Sequence, residues 1–195
     1  MLLWINGTFG VGKTHVAHEL RRKIAGSVVS DPELLGMGIQ RMYPPALRTD
    51  FQETPWWAAT VAEILIDLDS RHPGLVIVPM TLSDPERRTA VFDALHRAGV
   101  ETREAILLAS RDSIRRRVRA RFQDPEGWPL QHYDAVDASL RAVRSGGTIE
   151  TDRLSLPEVV VEVARLAGVE LAYSRRERLT LPARRVRVTV AHVRW

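Results

Sequence analysis

The sequence predicts an α/β protein with three layers, in which helices cover a parallel β-sheet. Two features of the chain lead to this prediction. Strands and helices alternate from the first residues to about residue 166, which favours a parallel sheet. The first strand also runs through a glycine-rich loop directly into a helix. At 195 residues, the chain has about the length of one domain.

The first strand, loop and helix form a consistent unit. Leu2–Asn6 is a short apolar strand, and His15–Ile24 carries apolar residues at helical intervals. Between them, G-T-F-G-V-G-K-T (Gly7–Thr14) has the spacing of the phosphate-binding P-loop, a Gly followed by four residues and then Gly-Lys-Thr. A glycine-rich turn that matches by chance is the alternative. The strand and the helix on either side make it the weaker explanation.

The loop predicts a binding site for ATP and Mg²⁺. Its glycines allow successive backbone N–H groups to converge on one anion, and the helix N-terminus adds partial positive charge. We expect Lys13 to contact the β- and γ-phosphates, and the Thr14 hydroxyl to be the protein ligand of Mg²⁺. The predicted nucleotide-binding residues of the loop are Gly7, Thr8, Phe9, Gly10, Val11, Gly12, Lys13 and Thr14.

The lysine in this loop stands out against the composition of the chain. The sequence contains 26 arginines but two lysines, Lys13 and Lys23. A compact ammonium group fits among phosphate oxygens at close range, where a planar guanidinium does not. A lysine at position 13 therefore supports phosphate binding.

The next elements continue the alternation up to the third strand. A brief strand, Ser27–Ser30, leads into Asp31-Pro32-Glu33, where a proline is tolerated in the first turn of a helix. Pro44-Pro45 ends that helix, and Pro73-Gly74 ends the one after it. The predicted elements are helix Leu34–Met42, a polar connection Thr49–Pro55, helix Trp56–Leu68 and strand Leu75–Val78.

The second half of the sheet follows the same pattern. Ser83 is the predicted N-cap of the helix after the third strand. The predicted elements are helix Asp84–Ala98, strand Arg103–Ala109, a strongly basic helix Arg111–Phe122, a turn segment Gln123–Pro129, helix Tyr133–Arg144, strand Thr148–Thr151 and helix Leu156–Leu166. We expect residues 1–170 to form one P-loop domain and residues 171–195 to form a basic C-terminal extension.

Composition and charge exclude several classes of protein. The chain has no cysteine, and therefore neither disulfides nor thiolate metal sites, which suits a reducing cytoplasm. No apolar run approaches the roughly 18 residues of a membrane span, so we expect a soluble protein. The net charge is +4, but Tyr173–Trp195 alone holds seven arginines against one glutamate. Because the rest of the chain is nearly neutral, a nucleic-acid partner is not favoured.

The basic extension is predicted to form two β-runs, Leu179–Pro182 and Val186–Val190. The second alternates valine with polar residues, so a hairpin would place its valines on one face. We expect this β-extension to pack on the domain or on a second subunit of a homo-oligomer. Contact of its arginines with anionic lipid, as in a peripheral membrane protein, is the alternative.

Residues that follow the second and third strands are candidates for binding a phosphoryl acceptor, because ligands of open parallel sheets bind outside the carboxyl ends of the strands. Asp31 could take the proton of an incoming hydroxyl, or it could cap the next helix. The third strand ends without an acidic residue, so we expect Mg²⁺ to rest on Thr14, phosphates and water. Of Trp56 and Trp57, at least one is expected in the core. The candidate acceptor-binding residues are Asp31, Gln52, Trp56, Met80 and Thr81.

Four motifs together resemble the tunicamycin resistance protein family: W-I-N-G-T-F-G-V-G-K-T at 4–14, D-P-E at 31–33, D-F-Q at 50–52 and V-P-M-T at 78–81. The resemblance spans about residues 1–170. The P-loop is shared by many proteins, whereas the other three motifs in this order are more specific. The resemblance implies an ATP-binding protein with a fold like that of nucleoside monophosphate kinases, linked to resistance to a nucleoside antibiotic.

The basic helix resembles a second kinase pattern, in which an apolar residue is followed by one arginine and then another four residues later. Arg117 and Arg121 would lie on one helix face. By this resemblance, Arg117 packs against the adenine of ATP, and Arg121 approaches the phosphates during transfer. A solvated basic helix is the alternative, because the many arginines of this stretch cannot all act in one site.

These observations predict an ATP-dependent phosphotransferase that acts on a hydroxyl of a small molecule, tunicamycin or a related nucleoside. Lys13, Asp31 and Arg121 are the predicted catalytic residues. Two alternatives stay open. The first is a protein that sequesters the drug, with ATP as a conformational ligand. The second is a metabolic nucleoside or nucleotide kinase.

Overall fold

The computed structural model of the chain describes residues 1–120, 124, 126–143 and 147–191. Within these residues, one sheet is formed by β1 (Leu2–Gly7), β2 (Val28–Val29), β3 (Val76–Pro79), β4 (Thr102–Leu108) and β5 (Gly147–Glu150). Its five strands are all parallel, and their order is β2-β3-β1-β4-β5. Strand β1 is therefore central, with its residue Leu3 in register with Ile77 on β3 and Arg103 on β4.

Helices cover both faces of this sheet. They are α1 (Lys13–Lys23), α2 (Glu33–Met42), α3 (Trp57–Arg71), α4 (Pro85–Arg97), α5 (Arg111–Arg119), α6 (Trp128–Gln131), α7 (Tyr133–Ala142), α8 (Leu156–Leu166) and α9 (Arg175–Ala191). Two short 3-10 turns lie between α2 and α3, at Pro45–Leu47 and Phe51–Glu53. Among the described residues, no helix combines the length and the apolar character needed to cross a membrane.

The side chains of β1 divide the core into two layers. Leu3 and Ile5 point to one face of the sheet and belong to a cluster with α1 and α8. Leu2 and Trp4 point to the other face, where the cluster includes residues of α3 and α4. All four side chains are fully buried. A strand that is covered on both faces is apolar throughout, and this arrangement confirms the predicted three-layer α/β fold.

The predicted strands and the predicted helices up to residue 166 are present in the expected order, with boundaries that differ by a few residues. The short helix α6 was not predicted and begins within the predicted turn segment Gln123–Pro129. One predicted cap is wrong. Helix α4 is capped by Asp84, whose side chain accepts a hydrogen bond from the Arg87 N–H at 2.8 Å, and not by Ser83. A carboxylate at this position also interacts favourably with the helix dipole. Helix α5 ends at Arg119, before the predicted end at Phe122, and residues 121–123 lie outside the described residues.

The predicted C-terminal β-extension is wrong. The runs Leu179–Pro182 and Val186–Val190 lie in helix α9, which spans Arg175–Ala191. Ser174 and Glu177 cap its first turn reciprocally: the Ser174 N–H donates to Glu177 Oε2 at 2.9 Å, and the Glu177 N–H donates to Ser174 Oγ at 3.3 Å. Arginine, leucine and alanine are good helix formers. Their helix propensity prevails here over the strand preference that the short Arg-Val alternation indicated.

Helix α9 packs against α1, the helix that follows the P-loop. Glu19 of α1 accepts hydrogen bonds from Arg184 Nε at 2.8 Å and from the Tyr173 hydroxyl at 3.0 Å. Lys23 donates to Glu177 Oε1 at 2.8 Å. Further along, the His15 Nε2 lies 3.1 Å from the Thr189 hydroxyl. These contacts between the two helices are polar, and apolar periodicity alone does not reveal them.

Candidate nucleotide and acceptor site

The P-loop, Gly7–Thr14, leaves the end of β1 and passes directly into α1. Gly7, Gly10 and Gly12 have φ angles of 147°, 81° and 114°, which L side chains rarely adopt. At Gly7, a Cβ would also lie 2.5 Å from the carbonyl oxygen of Leu107. The backbone of this loop therefore depends on glycine, as the predicted phosphate-binding conformation requires.

Lys13 is buried at the centre of the loop, with 8% of its surface exposed. Its Nζ donates hydrogen bonds to the carbonyl oxygens of Gly7 and Thr8 at 3.0 and 3.1 Å, and to Thr81 Oγ1 at 2.6 Å. The same Nζ lies 5.4 Å from the centre of the Phe9 ring. The ammonium is thus held inside the loop, where a point charge can meet the terminal phosphates of a nucleotide.

Asn6, at the end of β1, positions the loop and was not predicted as a site residue. Its Oδ1 accepts hydrogen bonds from the N–H groups of Gly7 at 2.9 Å and Leu82 at 3.0 Å. Its Nδ2 donates to the Leu82 carbonyl at 2.9 Å and to Glu104 Oε1 at 3.0 Å. Glu104 is itself buried and paired with Arg88. A polar residue at the end of a buried apolar strand is the sequence signal that could have identified Asn6.

The residues of the loop fit a nucleotide with Mg²⁺. The hydroxyl oxygen of Thr8 is buried and has no hydrogen-bond partner among the described residues, although such an atom is usually satisfied. Thr14 lies in the first turn of α1, half-buried, beside Lys13. Backbone N–H groups, one buried ammonium and two hydroxyls form a donor set suited to phosphate oxygens and to a hard cation.

Arg117 ties the P-loop to the segment after β5. Its guanidinium donates to the Val11 carbonyl at 3.1 Å, and to the Oγ1 and carbonyl oxygen of Thr151 at 3.0 and 2.9 Å. Burial lowers the pKa of Arg117, and the nearby charges of Arg116 and Arg185 lower it further, although Asp152 opposes this. Arginine stays charged despite such shifts. Its predicted contact with adenine stays a prediction, and Arg121 lies outside the described residues.

Asp31 lies between β2 and α2, half-buried, at the same edge of the sheet as the P-loop. Its Oδ1 accepts a hydrogen bond from the Glu33 N–H at 3.0 Å, and its carbonyl accepts one from Leu34 at 3.1 Å. The contacts of a helix-starting residue are therefore present. The predicted role as a base stays a prediction.

A cavity of about 450 Å³, here called the acceptor cavity, opens beside the P-loop. Gln52 and Met80, two of the predicted acceptor-binding residues, line it. Phe9 of the P-loop also lines it, together with Trp128 of α6, and the two ring centres are 4.2 Å apart. Trp128 was not predicted as an acceptor-binding residue, because one tryptophan among turn residues carries no periodic signal. The described lining comprises Phe9, Glu33, Gln40, Arg48, Thr49, Asp50, Phe51, Gln52, Met80 and Trp128.

The other predicted acceptor-binding residues lie around this cavity. Thr81 is buried beneath the P-loop, where its hydroxyl donates to the Gly7 carbonyl at 2.9 Å and accepts from Lys13. Trp56 lines a neighbouring groove and is 47% exposed. Trp57 is fully buried in the core, as expected for one of the two adjacent tryptophans.

The chain matches one protein family and is similar to several solved structures. Residues 2–143 match the family model described as an AAA domain. No curated protein sequence matches the chain. Among solved structures, the chain is similar to the tunicamycin resistance protein of Deinococcus radiodurans, with 29% sequence identity and a TM-score of 0.74, over 89% of this chain and 98% of that chain. This similarity confirms the resemblance that the four motifs indicate.

Two kinase structures share the fold. A gluconokinase from Sinorhizobium meliloti 1021 has 19% identity and a TM-score of 0.61, over 85% of this chain and 91% of that chain. The APS kinase of Mycobacterium tuberculosis, in complex with AMPPNP and APS, has 19% identity and a TM-score of 0.56, over 86% of this chain and 96% of that chain. The fold is therefore that of a P-loop protein of the kinase type.

Proposed function

We propose the following function for this chain, which belongs to the AAA-domain family: it is a kinase that transfers the γ-phosphate of ATP to a hydroxyl of a small molecule. The acceptor is tunicamycin or a related nucleoside. The similarity to the Deinococcus radiodurans tunicamycin resistance protein over 98% of that chain supports this choice of acceptor.

One observation carries the proposal: Phe9 belongs both to the P-loop and to the wall of the acceptor cavity. Its ring centre lies 5.4 Å from Lys13 Nζ on one side and 4.2 Å from the Trp128 ring on the other. A molecule in the cavity is therefore next to the part of the loop that would hold the terminal phosphate. This proximity favours transfer between two bound molecules over nucleotide binding alone.

The residues of the chain would divide the work as follows. Lys13 and the loop N–H groups would hold the phosphates, and the Thr14 hydroxyl would hold Mg²⁺. When bound, Mg²⁺ neutralises phosphate charge. Asp31 would orient the acceptor hydroxyl and take its proton, while Phe9 and Trp128 would exclude water from the cavity.

The proposal is tested by mass spectrometry of tunicamycin and of common nucleosides after incubation with the protein, ATP and Mg²⁺. We expect tunicamycin to gain the mass of one phosphoryl group. Phosphorylation of common nucleosides in its place would identify a metabolic kinase. Unmodified tunicamycin in a tight complex would identify a sequestering protein and contradict the proposal.

Lys13→Met and Lys23→Met form a matched pair for this assay, because they replace the two lysines of the chain. Lys23 lies at the end of α1 and contacts Glu177 and Ala172, away from the P-loop. We expect loss of transfer with Lys13→Met and retention with Lys23→Met. Equal activity of both variants would show that the product does not come from the P-loop site.

A further inference from the structure

Helix α9 packs against α1 through one of its faces. On this face, Glu177 pairs with Lys23 and Arg184 pairs with Glu19, each at 2.8 Å. Glu177 and Arg184 are seven positions apart, which places them on the same side of a helix. The opposite side of α9 therefore faces away from α1.

Two large apolar side chains lie on this outward side. Leu179 and Val186 each follow a residue of the packed face by two positions, which is about 200° around a helix. They are 74% and 63% exposed. Exposed apolar residues that are scattered singly are normal on a protein surface, but these two lie in line on one helix. We call this pair the apolar ridge.

Exposed arginines border the apolar ridge. Arg175, Arg176 and Arg187 all have exposed side chains. Each lies within about 90° of Leu179 around the helix axis. Among the described residues, the ion pairs of α9 are all formed with α1, and none involves these three arginines. The outward side of the helix therefore combines apolar surface with positive charge that no nearby carboxylate neutralises.

The stability of the helix does not explain this charge. Arg175 and Arg176 lie in the first turn of α9, where the helix dipole disfavours cations. Glu177 of the same turn already caps the helix and pairs with α1. Residues 173–195 hold seven arginines against one glutamate, whereas the rest of the chain is nearly neutral. A local excess of positive charge of this kind attracts an anionic partner.

The apolar ridge favours a lipid surface over a nucleic acid. Arginines can pair with the phosphates of either partner. In contrast, leucine and valine gain free energy only by leaving water. The boundary between the headgroups and the acyl chains of a membrane accommodates both groups, because apolar side chains enter it while arginine heads stay at the level of the phosphates. The charged backbone of a nucleic acid has no such apolar layer.

We propose that α9 binds an anionic membrane surface. The apolar ridge enters the headgroup region, and Arg175, Arg176 and Arg187 lie beside the lipid phosphates. The helix lies along the surface and does not cross it. Because α9 packs on α1, this docking turns the α1 side of the domain toward the membrane. Membrane docking of this kind does not depend on the proposed kinase activity.

Binding is measured by sedimentation with mixed vesicles of phosphatidylglycerol and phosphatidylcholine, and with vesicles of phosphatidylcholine alone. We expect binding to the mixed vesicles that weakens as salt rises, because the charges are exposed, and little binding to phosphatidylcholine alone. The variant Arg176→Gln/Arg187→Gln should lose affinity by roughly fivefold for each arginine. Its matched control is Arg97→Gln/Arg153→Gln, which removes the same charge from exposed positions outside α9 and should bind normally.

The variant Leu179→Ser/Val186→Ser tests the apolar ridge. It should weaken binding to the mixed vesicles and leave any weak binding to a duplex oligonucleotide unchanged, because only the membrane accepts apolar side chains. All variants should keep the melting temperature of the unmodified protein, since the replaced side chains are exposed.

Equal vesicle binding by the α9 arginine variant and its control would overturn the inference. Full binding by the serine variant, equal binding to both kinds of vesicle, or no binding to the mixed vesicles would overturn it as well. Tight binding to the duplex oligonucleotide without binding to the mixed vesicles would identify a nucleic-acid surface in place of a membrane surface.

Discussion

Lys13 Nζ lies 2.6 Å from Thr81 Oγ1, and this contact joins the P-loop to the second residue after the end of β3. The Thr81 hydroxyl in turn donates to the Gly7 carbonyl at 2.9 Å. Two motifs that are distant in sequence thus form one buried polar unit. Thr81 lies closer to the phosphate side of the site than to the acceptor cavity, where the sequence had suggested it.

Replacing Thr81 with valine should disturb the phosphate side of the site. The change keeps the shape but removes the hydrogen bond from Thr81 to the Gly7 carbonyl and one hydrogen bond of Lys13, so the free energy of unfolding should fall by about 1–3 kcal/mol. Affinity for ATP should fall as well, because Lys13 loses an anchor. Urea unfolding and calorimetry with ATP measure the two effects. Thr102→Val is the control, since the hydroxyl of Thr102, at the start of β4, donates to the Val100 carbonyl. Equal ATP affinity in both variants would contradict the prediction.

Asp31→Asn separates the two roles of this residue. Asparagine can still accept the hydrogen bond from Glu33 N–H, so the melting temperature and ATP affinity should stay near those of the unmodified protein. It cannot act as a base, so phosphoryl transfer should fall by roughly 10²-fold or more. Asp84→Asn, which changes the cap of α4, should leave transfer intact. Normal transfer by the Asp31 variant would show that the residue is a cap.

Arg117→Lys should weaken the link between the P-loop and the segment after β5. A lysine cannot reproduce the fork that contacts the Val11 carbonyl and both oxygens of Thr151. We expect a loss of about 1–3 kcal/mol in the free energy of unfolding and weaker ATP binding. The exposed neighbour Arg119 serves as control through Arg119→Lys. The prediction fails if both variants unfold at the same urea concentration.

Glu19→Gln should change the pH dependence of stability. Burial raises the pKa of Glu19, but hydrogen bonds from Arg184, Arg22 and Tyr173 outweigh it and lower the pKa overall. Because the folded pKa lies below the unfolded one, the stabilisation is complete above the ordinary value of about 4.3 and is lost as the pH falls through the folded pKa. The variant should therefore be less stable at neutral pH, by about 1–3 kcal/mol.

Urea unfolding at several pH values measures how the stability difference between the unmodified protein and Glu19→Gln depends on pH. The difference in unfolding free energy between the two proteins should shrink as the pH falls below the ordinary glutamate value. Glu162→Gln is a suitable comparison, because its carboxylate pairs with Arg165 on an exposed part of α8. A difference that stays constant down to acid pH would mean that the charge of Glu19 does not stabilise the fold.

The sheet and its helices could be predicted because their signals are local. Apolar runs, turn residues and the glycine spacing of the P-loop each lie within one short window, and they agree with one another. Helix α9 could not be predicted from apolar periodicity, because polar side chains such as Glu19, Glu177 and Arg184 hold it against α1. The capping pair Ser174 and Glu177 was the available local signal.

In the candidate site, too, residues with a local sequence signal could be predicted, and residues that depend on contacts across the fold could not. Lys13 and the glycines follow from a contiguous motif, and the motifs around Gln52 and Met80 mark residues that meet in the acceptor cavity. Asn6 and Trp128 belong to the site through contacts across the fold, with Leu82 and Phe9. The place of Asn6 at the end of an apolar strand was a local signal, but no pattern in a single sequence gives its contact with Leu82 or that of Trp128 with Phe9, so the structure was needed to find these contacts.

The scarcity of lysine gives the protein a small and well-placed set of primary amines. The amino terminus pairs with Asp69 of α3, Lys13 is enclosed by the P-loop, and Lys23 contacts Glu177 at the start of α9. Each amine is therefore protected by a different part of the fold. The rate at which an acylating reagent labels each one, followed by peptide mapping, reports how often that part opens. One labelling experiment would compare three regions of the native protein at once.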